Sequence, residues 1–164
     1  MQKKIIGDRI ELRFPDLSMS EDIYNLINYN FSEFNYFLPW IEKINNIQDI
    51  QKIILEYQKL FVAKKEFRFF IFKSSNQELI GSITLRNINP ILMQAELGFW
   101  LDYNHVGNGY VVEAFHMLSK EAHDIKSIIA NTKYNNYRAI RTLLSLNFSQ
   151  LSKVNDDLSF IKFF

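Results

Sequence analysis

The sequence predicts an α/β (α+β) fold in which a mixed β-sheet carries helices on both faces. Two segments, residues 48–64 and 110–123, repeat apolar side chains at helical spacing. Shorter segments that alternate apolar and polar residues, or are apolar throughout, separate these helices and are typical of strands. Because strands and helices interleave along the chain, helices are expected to cover the sheet on both sides.

The first third of the chain supplies one strand and two helices. Residues 5–14 alternate apolar and charged side chains, which predicts a strand. Ser18–Glu21 matches a capping box and is expected to open a helix. Residues 30–40 form an irregular aromatic stretch, and the periodic segment 48–64 is the second helix.

The remaining elements follow from turn signals between apolar runs. A turn at residues 74–77 separates two strands that are expected to pair as a hairpin. The sequence then predicts, in order, strands at 67–73, 79–86 and 95–101, a helix at 110–123, a strand at 127–132, a helix at 135–146, and strands at 148–154 and 158–164. No repeat, linker or domain boundary is visible, so residues 1–164 are expected to form one domain.

Composition excludes several classes of protein. The chain has 164 residues, 48% of them hydrophobic, which is enough for a substantial core and incompatible with disorder. It has no cysteine, so disulfides and zinc-thiolate sites are excluded, and no metal site is expected. A net charge of +1 gives no reason to expect nucleic acid or a membrane as partner. With no apolar run long enough to span a bilayer and no signal peptide, a soluble cytoplasmic protein is expected.

The most informative motif is Gly107-Asn108-Gly109, which stands between a buried strand and a helix. Glycines allow backbone N–H groups to approach a ligand closely, and a helix N-terminus adds unpaired donors and a partial positive charge. The motif therefore predicts a phosphate or pyrophosphate site at residues 105–110, although an ordinary tight turn fits it equally well. Neither a P-loop nor a Rossmann fingerprint is present.

Four stretches resemble the GNAT N-acetyltransferases, and within them the ribosomal-protein N-terminal acetyltransferases of the RimJ/RimL type. The most specific is the block Ala95-Glu96-Leu97-Gly98-Phe99-Trp100-Leu101 with Gly107-Asn108-Gly109-Tyr110 through Glu113-Ala114. The others are residues 8–13, 79–83 and 136–148. The resemblance implies a mostly antiparallel, seven-stranded sheet whose central strands splay apart.

The resemblance also implies a cofactor and a set of residues that bind it. Acetyl-CoA would place its pyrophosphate on the backbone of His105, Val106, Gly107, Asn108, Gly109 and Tyr110. Its pantetheine arm would lie beside Gly98, Phe99, Trp100 and Leu101, and would meet Asn136. An acceptor amine would attack the thioester directly, with Glu96 as general base and Trp40 bordering the acceptor groove.

Several of these residues have equally ordinary interpretations. Glu96 is also explained as a strand residue paired with Arg86 or a lysine, and His105 as an exposed loop residue. Trp40 and its aromatic neighbours are as typical of a core as of a substrate groove. Gly98 fits a β-bulge or a close approach of backbone.

Two departures from the family pattern concern the leaving thiolate. Ala139 stands where this branch usually has serine, and Leu143 stands where many other members have a tyrosine general acid. Ser145, Tyr134 or solvent are the replacements that the sequence leaves open. Three functions therefore stand: an N-acetyltransferase acting on a protein N-terminus or a small amine, a catalytically weakened acyl-CoA-binding module, and a protein without any CoA role. The chain is expected to be a monomer or a homodimer.

Overall fold

The computed structural model describes residues 3–164 as one eight-stranded sheet with five α-helices. The strands are Lys4–Ile6 (β1), Ile10–Arg13 (β2), Phe67–Lys73 (β3), Leu79–Asn89 (β4), Gln94–Leu101 (β5), Ser127–Lys133 (β6), Ser149–Val154 (β7) and Asp157–Phe163 (β8). The helices are Ser20–Tyr29 (α1), Phe31–Phe37 (α2), Ile47–Val62 (α3), Tyr110–Glu121 (α4) and Tyr137–Ser145 (α5). Within the described part of the chain, no helix is both long and apolar enough to cross a bilayer.

The sheet is mixed and mostly antiparallel, as predicted. Its strand order is β1-β2-β3-β4-β5-β6-β8-β7, and only the central pair β5 and β6 runs parallel. It contains eight strands where seven were expected, because the segment 5–14 folds back on itself. The Gly7 amide donates to Ile10 O at 2.9 Å in a tight turn, which gives β1 and β2 in place of one continuous strand.

Helices cover both faces of the sheet, and each face has its own apolar cluster. Because successive side chains of a strand point to opposite faces, Phe69 and Ile71 pack toward α4 and α5, whereas Phe70 and Phe72 pack toward α1, α2 and α3. Phe115 of α4 is 1% exposed and anchors the first cluster, and Ile54 of α3 is fully buried in the second.

The segment between α1 and α3 is more regular than its sequence indicates. Residues 31–37 form a short helix, and a 3-10 turn follows at Pro39–Lys43. The capping-box prediction is wrong, because Ser18 donates its amide and hydroxyl to Asp16 and lies in a 3-10 turn, so that α1 begins only at Ser20.

The two central strands separate at one end, as the resemblance implies. Parallel pairing of β5 with β6 runs from Gln94 opposite Ser127 to Leu97 opposite Ala130 and stops there. Both strands continue beyond this point, β5 to Leu101 and β6 to Lys133. The result is an open cleft between the carboxyl halves of two parallel strands, which is the edge where sheets of this kind bind ligands.

Candidate active site

A glycine-bearing loop closes the wide end of the cleft. It follows a 3-10 turn at Tyr103–His105 and leads into α4. Gly107 and Gly109 have φ angles of 81° and 76°, in the left-handed region that glycine adopts without strain. Both glycines are therefore required by the loop conformation, as an anion-binding turn demands.

The loop presents a row of backbone donors. Within residues 3–164 no hydrogen-bond acceptor is found for the amides of Gly107, Asn108 and Gly109, and the first turn of α4 adds the unpaired N–H groups of every helix start. No atom lies within 4 Å of the position that a Cβ on Gly107 would occupy. This open surface with unpaired donors and a helix N-terminus suits a phosphate group.

His105 is held in place by a buried hydrogen-bond network. Its Nδ1 lies 2.6 Å from Oδ2 of Asp102, a carboxylate that is only 4% exposed. Asn30, at the junction of α1 and α2, donates to the other Asp102 oxygen at 2.9 Å and accepts from Tyr103 N at 2.9 Å. His105 is therefore not an exposed loop residue; Asp102 fixes its ring, and its Nε2 lies 3.6 Å from Glu78.

Gly98 is the first residue of β5 beyond the pairing with β6. Its register with Thr84 of β4 is regular, so the bulge considered for this position is absent. A Cβ on Gly98 would lie 3.1 Å from Thr84 Cγ2, so the side chain of Thr84 occupies the space beside this glycine and no close approach of backbone is seen in the described part of the chain. The stretch Gly98–Leu101 keeps one backbone edge free toward the cleft, and an extended arm carrying amides fits that edge as an added strand would.

The side chains of Phe99, Trp100 and Leu101 pack in the apolar clusters or against them. Trp100 is 7% exposed and packs edge-to-face against Phe34 and Phe70. Phe99 and Leu101 pack against the cluster under α4. Trp100 is therefore buried, whereas the side chains of Phe99 and Leu101 remain partly exposed.

Glu96 lies on the face of β5 that looks toward α1 and α3, at the closed end of the cleft. It accepts from Arg86 at 2.6 Å and from Asn87 at 2.8 Å. Burial raises the pKa of Glu96, but the hydrogen bond and charge of Arg86, together with Asn87, outweigh that effect and hold its pKa below the ordinary value. At neutral pH it is a carboxylate, which is the form that accepts a proton.

Trp40 lies on the same side of the sheet as Glu96. It is half-buried in the 3-10 turn after α2 and borders a small cavity of about 10 Å³, together with Tyr57, Arg68 and Trp100. The structure therefore shows the core packing of Trp40, and its place beside an acceptor groove stays a prediction.

Asn136 caps α5 at the end of β6. Its side-chain oxygen accepts from Ala139 N at 3.3 Å, which leaves its NH₂ group free. Ala139 is half-buried one turn further along, and Leu143 is 1% exposed in the core. Ser145 is exposed and donates to Thr142 O at 2.7 Å, about 14 Å along the helix from Asn136, so it is poorly placed to serve the cleft.

Sequence reasoning missed Arg9, Asn30 and Asp102, all of which hold the loop through side-chain contacts. The loop partners of Arg9 and Asn30 are distant in sequence, so no local spacing connects them, whereas Asp102 and His105 are only three residues apart. Among the described residues, no three histidine, aspartate or glutamate side chains converge to hold a metal ion.

The protein has a parallel pair of strands that opens beside a loop lined with backbone amides. This fold and site are those of an acyltransferase. Residues 9–149 match the acetyltransferase (GNAT) domain family, and the chain belongs to that family. Proteins of this family are acetyltransferases, and acetyl-CoA is their acyl donor.

Known relatives agree with this assignment. The ribosomal-protein-serine acetyltransferase of Escherichia coli (strain K12) is 29% identical over 113 residues, which cover 69% of this chain and 62% of that protein. The microcin C7 self-immunity acetyltransferase MccE, solved with acetyl-CoA and AMP, has a TM-score of 0.87 at 25% identity, covering 96% of this chain and 94% of its own. The RimL acetyltransferase of ribosomal L7/L12, solved with coenzyme A, has a TM-score of 0.89 at 19% identity. That match covers 98% of this chain and 97% of the RimL chain.

Proposed function

We propose that this chain transfers an acetyl group from acetyl-CoA to a primary amine, either a protein N-terminus or a small-molecule amine. One observation carries the proposal: the pairing of β5 and β6 ends at Leu97 and Ala130, directly beside a loop whose amides have no acceptor in the described chain. An acyl-CoA needs both features, a slot for its extended arm and donors for its phosphates. Residues 1–164 are proposed to act as one acyl-CoA N-acyltransferase domain.

Different residues are proposed to bind the different parts of acetyl-CoA. Backbone amides of residues 105–110 bind the pyrophosphate, while the free edge at 98–101 and the Asn136 amide hold the pantetheine arm. Acetyl-CoA, when bound, supplies the acetyl group as an activated thioester. A backbone N–H on the free edge of β5 donates to the thioester oxygen.

Glu96 is proposed to accept the proton that the acceptor amine loses, directly or through a water molecule. The hydrogen bonds from Arg86 and Asn87 keep it ionised and fix its orientation. Its lowered pKa makes it a weak base, so the role requires a close and well-oriented approach of the amine. Trp40 is proposed to border the groove through which that amine arrives.

A second function, an acyl-CoA-binding module with weak catalysis, is favoured by one specific observation. Ala139 and Leu143 lack the groups that assist the leaving thiolate in relatives, and burial of Leu143 shows that its position now serves packing. We further propose that the protein is cytoplasmic, that it is a monomer or a homodimer, and that it has no nucleic acid or membrane partner.

Two measurements test the proposal. Calorimetric titration with acetyl-CoA should give binding, and no binding would overturn every CoA-dependent function. Thiol release should then be measured over a panel of small amines and peptides, including peptides with serine or alanine at the N-terminus. The matched control is the same peptide with its N-terminus already acetylated, which should give only background release. Binding without release above that background for any amine would favour the module.

A further inference from the structure

We propose that Arg9 is a positioning residue of the phosphate-binding loop. It holds the Asn108–Gly109 peptide so that the Gly109 N–H faces the bound phosphate, and it neutralises the neighbouring Glu113 carboxylate. The proposal rests on the acetyl-CoA binding proposed above and assigns a role to a residue in the turn between β1 and β2.

Arg9 contacts the loop and the helix through three hydrogen bonds and one cation–π contact. Its Nη1 donates to Asn108 O at 2.8 Å, and its Nε donates to Glu113 Oε2 at 2.8 Å. Its backbone N–H donates to the other Glu113 oxygen at 2.9 Å. The guanidinium also lies over the Tyr110 ring, with Cζ 4.9 Å from the ring centroid. A half-exposed arginine bound in this way has little freedom left.

The contact with Asn108 O sets the direction of the next amide. Every peptide bond described in the chain is trans, and in a trans peptide the C=O and N–H groups point in opposite directions. Because Asn108 O points at Arg9, the Gly109 N–H points away from Arg9, and residues 3–164 offer it no acceptor. Arg9 thus presents one specific donor to a ligand.

The contact with Glu113 removes an unfavourable charge. Glu113 lies in the first turn of α4, where the helix dipole favours a carboxylate, yet the same end is expected to bind an anion. An unpaired carboxylate there would repel a phosphate. The 2.8 Å ion pair with Arg9 cancels this charge, and its fork geometry leaves Nη1 free for Asn108.

The test compares three variants by calorimetric titration with acetyl-CoA. Arg9→Gln should weaken binding roughly tenfold, a loss of about 1.4 kcal/mol, because it removes both the charge and the fork. Arg13→Gln is the matched control, since Arg13 pairs with Glu11 on β2 away from the loop, and it should bind as the wild type does. Arg9→Lys keeps the charge but has no planar guanidinium, so it should bind acetyl-CoA at least roughly threefold more weakly than the wild type does.

A second readout separates positioning from general destabilisation. The chain has five glycines, so their amide signals are readily resolved by ¹⁵N NMR. CoA should shift the Gly107 and Gly109 signals in the wild type, and Arg9→Gln should lose most of the Gly109 shift.

Each outcome decides the proposal. Three results would overturn the role of Arg9. They are wild-type affinity for acetyl-CoA in Arg9→Gln, wild-type affinity in Arg9→Lys, and a Gly109 shift on CoA binding that is the same in Arg9→Gln as in the wild type. These results leave the proposed function intact, which fails if the wild type itself does not bind acetyl-CoA or releases no thiol with any amine.

Discussion

The two sides of the β5–β6 cleft present different chemistry. On the loop side, the groups left for a ligand are backbone amides at residues 107–109 and the start of α4. On the opposite face, the available groups are side chains, chiefly the Glu96 carboxylate with its partners Arg86 and Asn87. The first kind of site depends on chain conformation, and the second depends on residue identity.

This difference explains which departures from the family pattern the chain tolerates. The loop keeps its glycine conformations and free donors, because both are properties of the backbone. Ala139 and Leu143, in contrast, remove chemical groups that no backbone atom replaces. Variants on the two sides of the cleft should therefore fail in different ways.

The largest effect is expected at Glu96. If Glu96 takes the amine proton, Glu96→Gln should lower kcat roughly a hundredfold or more and leave acetyl-CoA affinity nearly unchanged. Steady-state thiol release and calorimetry measure the two quantities. Glu11→Gln is the matched control, because Glu11 is also a strand carboxylate paired with an arginine at 2.6 Å, and its loss should leave kcat unaffected. Parallel losses of stability and binding, with turnover per bound cofactor preserved, would make Glu96 structural.

On the loop side the expected effect is on binding. Gly109→Val should weaken acetyl-CoA binding about tenfold or more, since a β-branched residue resists a φ of 76°. Gly109→Asn should lose less affinity for acetyl-CoA, because asparagine tolerates this conformation. A folded Gly109→Val variant with wild-type affinity would refute the phosphate-loop assignment.

A gain of function tests the missing hydroxyl. Ala139 lies one turn after Asn136 on the same side of α5. Ala139→Ser should raise kcat severalfold and change acetyl-CoA affinity by less than about threefold, because the hydroxyl acts on charge that develops in the transition state. Turnover at saturating acetyl-CoA decides this. Unchanged or lower turnover would show that the thiolate is protonated without help from position 139.

The smallest effect concerns the Arg86–Glu96 pair and pH. Because the pKa of Glu96 is lowered on folding, the pair stabilises the protein above the unfolded value of about 4.5, and this contribution is lost as pH falls through the folded pKa. Arg86→Gln should therefore reduce the free energy of unfolding at pH 7 by about 1 kcal/mol or less, given the partly exposed pair. The difference from the wild type should shrink as pH falls below 4.5. Urea titrations at several pH values measure it, and a difference that is constant over this range would contradict the assignment.

Most of the fold could be predicted from local patterns, and the exceptions have physical reasons. The helix predicted at 48–64 is observed at Ile47–Val62, because its apolar stripe is continuous. The residues at 31–37 are aromatic and polar, with weak helix propensity, and they are helical because Phe34 packs under Trp100. The turn that divides β1 from β2 was missed because apolar alternation continues beyond it.

The site could be predicted only where its chemistry is local. Two glycines before a periodic segment predict a loop with free amides, and the structure contains one at residues 107–109. Arg9 and Asn30 act through tertiary contacts, so no sequence spacing connects them to the loop. The pairing of Glu96 with Arg86 was one of the alternatives the sequence left open, and the structure contains that pair.

The buried amide of Asn30 has a consequence for how the binding of two ligands is coupled. One side chain joins the α1–α2 junction, which belongs to the acceptor side, to Asp102 and Tyr103, which lead into the phosphate loop. If donor binding tightens the loop, Asn30 transmits that change to the wall of the acceptor groove, and by linkage the two affinities change together. Such coupling is reciprocal, so each ligand should change the affinity for the other by the same factor, and calorimetric titration of one ligand in the presence of the other measures that factor.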